Sequence, residues 1–84
     1  MTFDWHEEPG MKPDGSEWPV YVGVGGRVEL RVCESMRGGY FWEAGAESPA
    51  QYRHVEGRSE SLDDAKHAAE AMGRRMRKVL RWAR

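Results

Sequence analysis

Residues 18–35 read WPVYVGVGGRVELRVCES, and the fold turns on them. Val20, Val22 and Val24 alternate with Tyr21 and Gly23. Beyond Gly25 and Gly26, Val28, Leu30 and Val32 alternate with Arg27, Glu29, Arg31 and Cys33. Alternation at period two marks a strand with one buried face. Paired glycines between two such runs predict a tight hairpin, whose central residues take positive φ. On this reading the valines and Leu30 line the buried face. Tyr21, Arg27, Glu29, Arg31 and Cys33 line the exposed one.

Downstream the device repeats. Gly38 and Gly39 turn the chain, and YFWEA over 40–44 predicts a third strand with Tyr40 and Trp42 inward and Phe41 and Glu43 outward. YRHVEG over 52–57 predicts a short fourth strand at an edge, in which His54 has no special role. From Ser61 the period changes. Leu62, Ala65, Ala69, Met72, Met76, Val79 and Ala83 recur at steps of three and four, one apolar stripe of a helix. Ser61 is the expected N-cap, and Asp63 and Asp64 fall in the first turn, where the helix dipole favours negative charge. Gly73, beside the stripe, costs about 1 kcal/mol relative to alanine and marks a kink or a close contact.

Upstream, residues 1–17 (MTFDWHEEPGMKPDGSE) contain two prolines and two glycines and read as an irregular acidic N-terminal arm, with Phe3 and Trp5 able to tuck against the domain. The predicted fold class is therefore α+β. Residues 18–84 form a single β-β-β-(β)-α domain, a three- to four-stranded antiparallel sheet packed by one long C-terminal helix.

With 84 residues the chain supports one hydrophobic core. Its single cysteine, Cys33, excludes an internal disulfide and cannot by itself build a metal site. No apolar run approaches the ~20 residues that cross a bilayer, and the acidic N-terminal stretch does not resemble a secretory signal. A cytoplasmic protein without membrane contact is expected. No catalytic residue, cofactor or metal is expected either. His6, His54 and His67 do not converge in the sequence pattern, and VGVGG precedes a strand, whereas a phosphate fingerprint precedes a helix. DWHEE (residues 4–8) groups possible ligands only within the arm.

Charge is the informative feature. Residues 1–63 hold twelve acidic and six basic side chains, a net −6; residues 64–84 hold two and seven, a net +5; together they give the −1 of the whole chain. Such asymmetry points to a charged partner or to internal pairing. Arg74, Arg75, Arg77, Lys78, Arg81 and Arg84, with Trp82 beside them, form the candidate basic contact, suited to nucleic-acid phosphates. Glu29 and Glu43 represent an acidic sheet face suited to a basic groove on another protein. Tyr21 offers a ring for base stacking. A helix over Leu62–Ala83 spans roughly 33 Å and a six-residue strand about 20 Å. Met76, Val79, Leu80 and Ala83 therefore need a cover: the N-terminal arm, a second copy forming a homodimer, or a partner protein.

EGRSESLDDAKHAAEAM (residues 56–72) resembles the end of a double-stranded-RNA-binding domain, where a last strand runs through glycine and serine into a helix. Ala65, Lys66, Ala68 and Ala69 match that family's packing positions; Asp63 and Asp64 stand where its phosphate-binding lysines would be. A sheet followed by a helix also resembles the arm-binding domains of phage integrases. In size and charge polarity the chain is similar to small phage and prophage accessory proteins, including anti-CRISPR proteins. The resemblance implies a non-enzymatic inhibitor that binds a host protein or ribonucleoprotein complex handling nucleic acid. The alternatives are direct DNA or RNA binding through the basic helix, and a structural homodimer.

Overall fold

The computed structural model describes residues 3–11, 14–47 and 52–82, with side chains over 3–11, 14–46 and 54–78. Among the described residues five strands precede one helix: β1 (Asp4–Met11), β2 (Glu17–Gly25), β3 (Val28–Glu34), β4 (Tyr40–Glu47), β5 (Tyr52–Ser59) and α1 (Leu62–Trp82). The strands form one antiparallel sheet in chain order, and α1 packs over β3, β4 and β5. The α+β sheet-plus-helix expectation holds, with more strands than the three or four read from the pattern.

The added strand is β1, which replaces much of the expected irregular arm. Pro9 is tolerated because β1 is an edge strand, where a missing N–H costs little. Its register partner is Pro19 on β2, which lies beyond the last residue of β2 paired with β3, Val20. The two prolines thus meet where the sheet is only two strands wide.

The β2–β3 hairpin corrects the facing of β2. Gly25 pairs with Val28, leaving Gly26 and Arg27 as a two-residue loop. Gly26 has φ of 63° and Arg27 is not at positive φ, which is the sign pattern of a type II′ turn. In such a hairpin the residues flanking the loop share a face. Gly25, Gly23 and Tyr21 therefore lie on the helix side with Val28, Leu30 and Val32, while Val20, Val22 and Val24 point to the other side. Gly25 stays glycine for space: a methyl there would come within 2.7 Å of Phe3 Cδ1.

Val28, Leu30 and Val32 are buried beneath α1 with Ala44, Ala46, Ala65, Ala69 and Met76. The alanines on β4 and at the start of α1 let the helix lie close to the sheet. Tyr40, Trp42, Val55, Leu62 and Met72 close the rim. Ser61 caps α1 as expected, its Oγ accepting from the Asp64 amide at 3.1 Å.

One of the three expected covers for the helix end is present. Phe3 is buried in the same cluster as Met76. A methyl at Gly73 would lie 2.8 Å from Phe3 Cζ and 3.0 Å from Leu30 Cδ2, so this glycine marks a close contact. The side chains of Val79 and Leu80, and Ala83 entirely, lie outside the described residues.

Candidate interaction surfaces

The flank of α1 that faces β1 and β2 forms a polar seam. Trp5 Nε1 donates to Glu70 Oε2 at 2.9 Å, and Lys66 Nζ sits 5.2 Å from the Trp5 ring centroid and 4.9 Å from that of Tyr21. The indole fits there because Gly23 opposes Trp5 across the strands and has no side chain. Arg77 is half-buried on the same flank, beside the β2–β3 turn; a methyl at Gly26 would lie 3.3 Å from its Nη2. Two expectations change as a result. Tyr21 lies beneath a lysine, away from the sheet face proposed for stacking, and Arg77 does not share the open face of the basic cluster.

Arg74, Arg75 and Lys78 are exposed. Their helical spacing places them together on the solvent side of α1, and among the described residues no carboxylate pairs with them. Arg81 and Trp82 side chains, and Arg84, fall outside the described residues.

The opposite face of the sheet carries Asp4, His6 and Glu8 from β1, Glu29, Arg31 and Cys33 from β3, Phe41 and Glu43 from β4, and His54, Glu56 and Arg58 from β5. Between them runs β2's aliphatic row, in which Val22 is only 2% exposed although no helix covers it. Its register neighbours, His6 and Arg31, are long enough to shield it. Among the described side chains, five carboxylates share this face with two arginines, and both of these arginines have local partners. Arg31 binds Glu29 through Nη2 at 2.9 Å, and Arg58 Nη2 donates to the Gly38 carbonyl at 3.1 Å, bracing the β3–β4 turn.

Glu29 and Glu43 therefore lie on one side of the molecule, and Arg74, Arg75 and Lys78 on the other. The structure does not bring the two candidate sets together. It does assemble Glu43, His54 and Glu56, a group the sequence pattern does not single out. His54 Nε2 lies 3.0 Å from Glu43 Oε2 and 4.0 Å from Glu56 Oε2. Cys33 lies beside them on β3. Its thiol is pushed up from its ordinary pKa by burial, and the Glu43 carboxylate adds to the shift, the reverse of an activated nucleophile.

No α-helix among the described residues is long and apolar enough to cross a membrane. Comparison with known protein families, curated proteins and solved structures finds no match to this chain.

Proposed function

We propose that this protein is a non-enzymatic binding protein, an inhibitor of the phage accessory kind. It would occupy the basic groove of a host nucleic-acid-handling complex with the acidic face of its sheet. One observation carries the reading: among the described side chains the helix-free face holds five carboxylates and two arginines, and both of these arginines are engaged locally. A surface of this sign repels phosphate and attracts lysine- and arginine-rich surfaces, speeding encounter and fixing orientation. Half-buried Val20 and exposed Val24 supply apolar area beside the charges.

A second reading is favoured by the exposure of Arg74, Arg75 and Lys78: direct binding of DNA or RNA along α1. The two readings use opposite sides of the molecule, so one experiment separates them. Isotope-labelled protein is titrated with an arginine-rich peptide and, separately, with duplex DNA at ~50 mM salt. The inhibitor reading expects amide shifts at 29–31, 43 and 54–56 with the peptide and none with DNA. Shifts at 74–78 with DNA and none with the peptide would replace it by the second reading.

A further inference from the structure

Glu43 and Glu56 are direct register partners on β4 and β5, so two carboxylates stand opposite each other on an exposed face. Like charges in that relation destabilise a sheet unless something lies between them. The neighbour that could neutralise Glu43 from the other side is Arg31, its register partner on β3, but that guanidinium is drawn to Glu29, with Nε 3.0 Å from Oε1. His54 approaches instead. It precedes Glu56 by two residues and shares its face, and it stands opposite Gly45, which has no side chain. The imidazole leans across that opening to bring Nε2 within 3.0 Å of Glu43.

The geometry points to a divalent metal site of the zinc type formed by His54 Nε2, Glu43 and Glu56. One ligand atom from each residue lies within 4.8 Å of the other two. Zinc bonds of about 2.1 Å separate tetrahedral donors by about 3.4 Å. The 3.0 Å and 4.0 Å separations from His54 Nε2 already bracket that value, and no pair of the three ligand atoms is more than 4.8 Å apart. An imidazole with two carboxylates suits zinc and its borderline neighbours; magnesium and calcium prefer all-oxygen shells of higher number. Three protein ligands leave a fourth position open to solvent. The site sits on strands braced by the sheet ladder. The ion would also remove the repulsion between the two glutamates. This site does not depend on the inhibitor reading, since no partner contributes a ligand.

The test is titration of the tag-free full chain with zinc chloride in a non-coordinating buffer, by calorimetry and by the imidazole resonances of the three histidines. A 1:1 complex is expected, with His54 shifting and His6 and His67 unmoved. His54→Gln and Glu43→Gln should each weaken zinc at least about tenfold. His6→Gln, which disrupts the two-donor His6–Glu8 pair, should leave affinity unchanged. Affinity should also fall with acidification, because Nε2 must be free of its proton to ligate. All the altered side chains are exposed or half-exposed, and circular dichroism confirms that each variant is folded. The assignment is overturned by the absence of 1:1 binding tighter than ~1 mM, by His54→Gln binding as the parent does, or by displacement with ~100-fold magnesium. That last result would identify a diffuse counterion atmosphere over an acidic face.

Discussion

Phe3 and Gly73 should be energetically coupled across almost the full chain, and the sign of one substitution should depend on the other. In the parent protein Gly73→Ala gains about 1 kcal/mol of helix propensity. The new methyl meets Phe3 Cζ at 2.8 Å, Leu30 Cδ2 at 3.0 Å and Val28 Cγ1 at 3.2 Å. Overpacking of a filled core costs about 1–3 kcal/mol, so the substitution should be destabilising by roughly 0–2 kcal/mol. Phe3→Leu withdraws the ring edge that makes the shortest of these contacts and itself costs about 1.5 kcal/mol. In that background the methyl occupies the vacated space. Gly73→Ala should then be neutral or stabilising, up to about the propensity gain. The coupling energy from the four proteins, read by urea unfolding with a common m-value, should be about 1–2 kcal/mol. Additivity within about 0.5 kcal/mol would refute the docking of Phe3 on the helix, because residues that do not touch have no means to couple.

Leu30→Ala should cost roughly 2–5 kcal/mol in thermal or urea unfolding, since Leu30 has no exposed surface. Glu29→Ala should change stability by less than about 1 kcal/mol, because its partner Arg31 is also exposed; equal costs would place the register one residue off. Alkylation of Cys33 should be slower than that of an unstructured cysteine at neutral pH. Glu43→Gln should speed it by removing the carboxylate that helps hold the thiol protonated. A rate unchanged by Glu43→Gln leaves burial as the whole cause. If DNA binds at all, replacing Arg74, Arg75 and Lys78 by alanine should flatten the log–log salt dependence by about 0.9 for each phosphate these side chains neutralise. An unchanged slope removes them from any such interface.

The parts of this fold legible in the sequence are those whose signal is local. Val28, Leu30 and Val32 alternate against charged residues, and Ser61 with Asp63 and Asp64 announces a helix start; each needs only a few neighbours to be read. The facing of β2 reads wrongly because glycine carries no hydrophobic signal. Gly23 and Gly25 are the helix-side positions, so the pattern is set by Val20, Val22 and Val24, which lie on the other face. Counting from the Gly25–Val28 pair across a two-residue loop gives the correct parity. β1 is hidden for the same reason: Phe3 is buried and Trp5 half-buried by lying over those glycines, and farther along the strand Glu7 and Pro9 give no apolar alternation. The basic stretch reads as one patch, yet the sheet-side flank of α1 takes Arg77 away to the Gly26 turn. Glu43, His54 and Glu56 are out of reach of sequence reading, because only the register of β4 on β5 brings them together, and no residue pattern in the two strands specifies that Glu43 stands opposite Glu56.

The sheet is a meander in which every pairing joins consecutive strands, whereas the Trp5–Glu70 hydrogen bond spans 65 residues. Hairpins close quickly and contacts of high sequence separation form late, because loop entropy must be overcome before they stabilise anything. During synthesis β1 can zip onto β2 as soon as the first hairpin clears the ribosome. Trp5 within it and Phe3 just before it then have glycines beneath them and nothing above until α1, which follows all five strands, has formed. Docking of the helix is therefore the event that seals β1 to the rest of the molecule. Reversal of that event exposes Phe3 and Trp5 beside the already unpaired edge of β1, the combination that invites edge-to-edge association. The aromatic seam thus guards against misassembly, and a weakened seam should show itself in aggregation on heating before it shows in loss of helix.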